Sequence, residues 1–268
     1  MNRKVGIIVG CLGGEIPLTR QLELMKNAGF ETFFSGLCSA DTTARLKEKA
    51  DALGMVYETV HAPFSGINNM WIPGLDYLTV YNGIKQSIDN AAACGIPAIV
   101  LHVSSGWYPP GISDLGLSRY DELVFYAAEK GVQVAFENLR CVGNLAYFTD
   151  RYEKLDNVRF CYDLGHEHCY TVTVKWMDVF RDKLICTHIH DNLGRGEIED
   201  ADPDLHYLPF DGTLDYKKMI AKLDEHGYEG SLMLEVFNTT KPEYQELTPE
   251  EFVTTCYERL QKIASYSK

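Results

Sequence analysis

Residues 131–138 read GVQVAFEN: a glycine, a short run rich in strand-favouring residues, and then a glutamate. Valine and phenylalanine fit a pleated, buried strand, and the run has strand length. A charged group closing such a strand is costly unless something there compensates it. The same punctuation repeats outward. VRFCYD (158–163) closes on Asp163, LICTHIH (184–190) on His188 and His190, and SLMLE (231–235) on Glu235. Upstream, ETVH (58–61) closes on His61 and AIVLH (98–102) on His102. Six successive strands ending this way point to one site at one rim, because strand C-termini converge on one face of a closed parallel barrel.

Between these runs lie helical stretches. Strands are predicted over 4–9, 30–34, 55–61, 98–103, 132–137, 158–163, 184–190 and 231–236. Helices are predicted over 17–28, 41–53, 77–93, 118–130, 145–154, 174–181, 215–226 and 249–264. Glycines 29, 54, 95, 131 and 227 follow helical stretches, where a left-handed residue ends a helix. Eight β–α units without a hairpin signal read as an α/β fold, a single (β/α)8 TIM barrel spanning residues 1–268. A doubly wound sheet is the alternative.

Composition sets the class. The chain has 268 residues, 46% of them hydrophobic, enough for one large core. The net charge of −13 argues against nucleic acid, which is bound by neutralising phosphates. The apolar run at residues 5–9 is too quickly broken for a signal peptide, and no later run reaches membrane length. Eight cysteines are scattered without a CxxC pair, which reads as free thiols in a reducing cytoplasm. Cys161 and Cys186 are expected to face the helices.

Three loops exceed what connection needs: 63–76, 104–117 and 192–211. The first two follow strand ends and carry Trp71, Trp107 and Tyr108, whose rings could stack on a sugar or pin the loops by burial. The third carries Asp202, Asp204 and His206.

Glu137, Asp163, His188 and Glu235 together make a mixed oxygen and nitrogen donor set, suited to one divalent ion: Mn, Mg, Co or Zn. Ion pairing is the competing explanation, but Arg140 and Arg195 are nearly the only basic residues near these strand ends. His188 and His190 share a strand face, so one could bind metal while the other contacts substrate. His166 follows Asp163 closely enough to join them, and His168 reads as a surface residue.

The motifs VHAPF at His61, VLHVSSG at His102, FEN at Glu137, DLGH at Asp163–His166, THIHDN at His188, DLHYLPFDGTLDY from 204 to 216 and LEVF at Glu235 occur in this order. In this set the chain resembles the xylose isomerase-like barrel superfamily, which includes sugar isomerases, epimerases and the endonuclease IV group. The resemblance to ketose 3-epimerases implies that Glu137, Asp163, His188 and Glu235 hold the metal. It also implies that Glu137 and Glu235 exchange protons with the substrate and that His166 bonds its oxygens. The chain departs from that branch at Gly143, where the epimerases have an acid, and at Gly194, where their substrate-binding arginine falls, with Arg195 adjacent. The resemblance to endonuclease IV implies up to three zinc ions on His61, His102, Glu137, Asp163, His166, His188, Asp204, His206 and Glu235.

The expected function is a divalent-metal-dependent sugar isomerase or epimerase, moving a proton next to a carbonyl through an enediolate. Glu137 and Glu235 would be the acid–base pair. His166, Trp71, Trp107, Tyr108 and Arg195 would bind a small carbohydrate. His61, His102, His190, Asp204 and His206 are further metal or substrate candidates. A lyase or dehydratase on a sugar, polyol or oxidised glycoside, a trinuclear zinc phosphoesterase, and a non-catalytic or partner-dependent metal-binding subunit are the alternatives. No phosphate-binding signature is present, which favours an unphosphorylated substrate. The resemblance is compatible with a homo-oligomer.

Overall fold

The computed structural model describes residues 3–196 and 202–267. Eight strands alternate with helices: β1 (Val5–Val9), α1 (Leu18–Ala28), β2 (Thr32–Gly36), α2 (Ala40–Leu53), β3 (Val56–His61), α3 (Tyr77–Cys94) and β4 (Ala98–Leu101). The order continues with α4 (Asp114–Glu129), β5 (Gln133–Glu137), α5 (Val142–Arg151), β6 (Val158–Asp163), α6 (Leu164–Tyr170), α7 (Trp176–Phe180) and β7 (Leu184–His188). It ends with α8 (Tyr216–Glu225), β8 (Leu232–Leu234), α9 (Pro242–Gln245) and α10 (Pro249–Ala264).

From β1 to β7 each strand pairs in parallel with the next, and β1 also pairs with β8. The seam between β7 and β8 is closed by Ile189, which donates and accepts across it at 2.8 and 2.9 Å. The result is a (β/α)8 barrel, as the alternation predicts. Registers decide what meets at the rim. Asp163 pairs with His188, and Glu137 pairs with Cys161.

The main core lies between strands and helices. Phe33, Phe136 and Phe160 are at most 1% exposed, each contributing about 2–3 kcal/mol of burial. Inside the barrel a second, small cluster of Val100, Ala135, Cys161 and Cys186 fills the space beneath the rim. Cys161 and Cys186 therefore face inward, which corrects the expectation that they face the helices. Each lies two residues before a rim donor, Asp163 and His188, and alternation puts such pairs on one face.

Local signals explain most boundaries. Gly29 ends α1 at φ 115°, and Thr248 with Glu251 forms a capping box on α10. α4 starts four residues earlier than predicted because Ser113 caps it. α6 was not predicted. It forms because the Asp163 side chain accepts from the His166 N–H at 2.6 Å and so caps a helix directly after β6. α5 lies three residues upstream of its prediction at both ends. Of the long loop 192–211, residues 197–201 lie outside the described residues.

The loop over 63–76 is stapled from below. Arg119 of α4, 7% exposed, donates to the carbonyls of Asn69, Met70 and Ile72 at 3.0, 2.9 and 3.0 Å. Its guanidinium also lies 3.5 Å from the centroid of the Tyr77 ring. No helix among the described residues is long and apolar enough to cross a membrane.

Candidate metal centre

Glu137 is the hub of the rim. It ends β5, is 1% exposed, and meets three imidazoles. His61 Nε2 and His102 Nε2 approach Oε2 at 3.2 and 2.7 Å, and His188 Nδ1 approaches Oε1 at 2.8 Å. His188 Nδ1 also lies 3.3 Å from Glu235 Oε2. Strand ends β3, β4, β5, β7 and β8 thus converge as a closed barrel requires.

Asn138, one residue beyond Glu137, ties β5 to β6. Its side chain donates to the Asp163 carbonyl and accepts from the Asp163 N–H, both at 2.8 Å. Its own carbonyl accepts from His166 Nδ1 at 2.9 Å. One asparagine therefore fixes both Asp163 and His166. The motif FEN contained this residue, yet its role depends on the neighbouring strand and could not be read locally.

A second set gathers on Asp204. His166 Nε2 and His206 Nε2 lie 3.1 and 3.3 Å from Oδ2, and His190 Nε2 lies 3.3 Å from Oδ1. His190 also lies 3.2 Å from Asp163 Oδ1 and stacks on His206 with centroids 4.0 Å apart. The loop bearing Asp204 is held by Asp191, fully buried just past β7. Its carboxylate accepts from the N–H groups of Asn192 and Phe210, each at 2.9 Å, and of Leu214 at 3.1 Å. Asp191 was not singled out in the sequence. The acid following THIH was its only signal.

Charges are balanced across the cluster. Burial works against ionisation of Glu137, but His188, His102 and His61 hold it well below the usual carboxylate range. Burial likewise opposes Asp204, and His166, His190 and His206 pull it far down. For His188, burial disfavours the charged ring, yet Glu235 and Glu137 push it up to about 10. For His206, burial has the same sign and Asp204 overcomes it, again to about 10. Burial dominates at His102 and lowers it.

The donor set suits a metal on three grounds. Six of the chain's eight histidines stand here with four carboxylates. His61, His166 and His206 each donate Nδ1–H to a backbone carbonyl, those of Ala62, Asn138 and Glu235, which turns Nε2 towards the cluster. That arrangement fixes the tautomer of metal-ligating histidines. Finally, Asp163 Oδ2, His188 Nε2 and Asp204 Oδ1 are buried without a hydrogen-bond partner, a cost that a cation would remove. Ligand atoms of Glu137, Asp163, His188 and Glu235 all lie within 4.8 Å of one another, as do those of His61, His102 and Glu137, and those of His166, His190, Asp204 and His206. Every metal candidate from the sequence is brought into one cluster. Cys161 Sγ is a further donor, with Glu137 and His188.

The cluster lines one wall of a cavity of about 140 Å³, reached by His61, His102, His166, Asp204, His206 and Glu235. The aromatic candidates divide. Trp71 is 2% exposed, donates to the Val103 carbonyl at 2.7 Å and packs on Tyr120, away from the cavity. It pins its loop. Gly116 makes room for it, since a Cβ there would collide with the indole. Trp107 does not line the cavity itself; the guanidinium groups of Arg140, which does, and of Arg195 lie 5.3 and 5.4 Å from its ring centroid. Tyr108 is exposed and does not line the cavity, and Arg195 does not line it either. His168 is half-buried and bonds Thr213. Phe64, not singled out in the sequence, lines the cavity and stacks on His102 at 4.5 Å.

The family model described as the xylose isomerase-like TIM barrel matches residues 22–254. The chain belongs to that family. Solved structures of the same xylose isomerase-like shape include the IolI protein with a bound zinc atom, with TM-score 0.77, 17% identity and 98% of each chain covered. A xylose isomerase domain protein from Planctomyces limnophilus matches at TM-score 0.75 and 18% identity over 98% of this chain and 96% of that one. The 3-keto-D-glucoside 4-epimerase YcjR of E. coli matches at TM-score 0.71 and 17% identity, over 98% and 99%. Among curated sequences, the uncharacterized protein y4fM of Sinorhizobium fredii is 32% identical over 166 residues, 57% of this chain and 51% of its own length. MJ1311 of Methanocaldococcus jannaschii, also uncharacterized, is 24% identical over 191 residues, covering 66% and 63%. The chain thus spans about half to two thirds of these two relatives.

Proposed function

We propose that this xylose isomerase-like barrel is a divalent-metal-dependent isomerase or epimerase of a small sugar. The observation that carries the reading is the convergence of Glu137 and Glu235 on one nitrogen of His188, Nδ1, at 2.8 and 3.3 Å, with Asp163 in the same set. Glu137, Asp163, His188 and Glu235 would hold the ion. When bound, it would polarise a substrate carbonyl and stabilise the neighbouring enediolate.

The remaining chemistry belongs to the side chains. Glu235 lines the cavity and would take the proton from the carbon beside the carbonyl. Glu137 lies deeper and would return a proton once its histidine contacts loosen. His166, its Nδ1 anchored, offers Nε2 to a substrate hydroxyl. Phe64 provides an apolar face at the wall. Structural neighbours named as epimerases support this class. Loss of a β-substituent from the same enediolate would make the protein a lyase, and the mass of the product separates the two. The test is solvent deuterium exchange into ketoses, followed by NMR on metal-loaded protein. Absence of exchange in every sugar tried, despite bound metal, would reject the reading and favour a partner-dependent subunit.

A second reading, a phosphoesterase with up to three zinc ions, is favoured by one observation: His166, His190, Asp204 and His206 form a four-donor set that shares no residue with the set of Glu137, Asp163, His188 and Glu235. Elemental mass spectrometry of purified protein decides between them. One ion per chain supports the isomerase, and three zinc ions support the phosphoesterase, which would then be assayed on abasic DNA.

A further inference from the structure

Away from the donors, the wall of the cavity is built around Arg140. Among the described residues it is the only lysine or arginine lining this cavity. Its guanidinium lies over Tyr170, 4.1 Å from the ring centroid, and 5.3 Å from that of Trp107. The two rings meet edge to face at 5.5 Å. The side chain is only 13% exposed, so the fork is held in place rather than free in solvent. Tyr170 also stacks on His166, so one aromatic ring separates the arginine from the metal donors.

The fork is half filled. Arg140 Nη2 donates to Asp202 Oδ1 at 2.5 Å, and Tyr170 donates to the same oxygen at 2.9 Å. Nε is buried and has no partner. An arginine binds a carboxylate best through two parallel N–H bonds, a geometry that Asp202 does not complete. Asp202 itself is 64% exposed, and its Oδ1 also accepts from the Asp204 N–H at 3.2 Å, so a ligand carboxylate would compete with it for the fork from the solvent side.

We propose that Arg140 and Tyr170 form a carboxylate-recognition subsite, so that the substrate is a sugar acid whose carboxylate replaces that of Asp202. This deepens the isomerase reading and rests on it for the sugar at the metal end. The charge of Arg140 offsets the repulsion that Glu235 and Asp204 would exert on an anion, and the planar fork prefers a carboxylate to a neutral hydroxymethyl group.

The test uses metal-loaded protein and three probes: D-glucuronate, D-glucose and D-glucose 6-phosphate, titrated at millimolar concentration by calorimetry. Wild-type protein is expected to bind glucuronate at least about tenfold more tightly than glucose, the effect of one charge-assisted pair. Arg140→Gln should erase that preference, glucuronate losing its advantage over glucose. Arg140→Lys keeps the charge but lacks the fork, and should retain only part of the preference. Asp202→Asn should raise glucuronate affinity alone. A wild-type protein that takes all three probes alike, or none of them, overturns the proposal. So does a preference that survives Arg140→Gln, which would place the carboxylate on the metal. Phosphate preferred over carboxylate in an Arg140-dependent way would replace the sugar acid by a sugar phosphate. Failure of the isomerase reading itself looks different: glucuronate preference intact, with no deuterium exchange.

Discussion

His188 Nδ1 lies 2.8 Å from Glu137 Oε1, and its Nε2 is buried without a partner. The ring is thus anchored on one nitrogen and open on the other. Glu137 in turn spends both oxygens on histidines, whereas Glu235 reaches the cavity. The two glutamates are unequal by position before any substrate enters.

That inequality predicts different penalties. Glu235→Gln removes the cavity-lining base and should lower turnover by roughly 100- to 10,000-fold, the usual weight of a general base. The fold should persist, since His188, which Glu235 approaches at 3.3 Å, keeps its shorter contact with Glu137 at 2.8 Å. Glu137→Gln should also abolish turnover, but with weakened metal binding, because its charge balances three rings. Steady-state kinetics alongside metal content separates the cases, and full activity in either variant would sink the two-glutamate scheme.

Metal uptake should depend on pH in a defined direction. His188 and His206, pushed to about 10 by Glu235 and Asp204 against the effect of burial, carry protons at neutral pH in the metal-free protein. A metal must displace those protons, so affinity should rise as pH rises. Calorimetry in buffers of different ionisation enthalpy should show proton release at pH 7. For the metal-free fold the sign is opposite. A raised histidine pKa contributes stability that is complete below about 6.5 and is lost as pH climbs towards 10. The melting temperature of metal-free protein should fall across that window.

Gly165 lies beneath His190, and a Cβ there would intrude on the imidazole. Gly165→Ala should displace His190 and cost about 1–3 kcal/mol through overpacking. Metal affinity should fall with it, read by competition with a chromophoric chelator. Unchanged affinity would place His190 outside the ligand set.

Asp191→Ala strips three backbone N–H groups of their shared acceptor. A loss of about 2–4 kcal/mol is expected in chemical denaturation, given the cost of unsatisfied buried donors. The loop bearing Asp204 and His206 should loosen as well. Hydrogen exchange at Phe210 and Leu214 would report that directly.

The strand-end donors were legible because each breaks an apolar run with a group that water would otherwise solvate. Parallel topology then forces them together, so local sequence carried global information. The alternation that revealed them also fixes Cys161 and Cys186, two residues before Asp163 and His188, and the contrary expectation neglected it. Trp71 was not legible. Whether a rim-loop indole turns inward depends on the space above Gly116 and the free carbonyl of Val103, both distant in sequence. The helix after Asp163 was hidden for another reason: one carboxylate caps a helix through Oδ1 and leaves Oδ2 to the site. The proposed carboxylate subsite joins Arg140, just past β5, to Tyr170 at the end of α6, and has no linear signature.

The Arg119 staple under residues 69–72 changes what the first rim loop can do. A buried guanidinium shared among three carbonyls ties the backbone to α4, and releasing it would strand a charge. This stretch of the loop is masonry rather than a hinge. Phe64, which precedes it in the same loop and lines the cavity, should therefore stand against a braced backbone, so that selection at that wall follows fixed shape rather than loop movement.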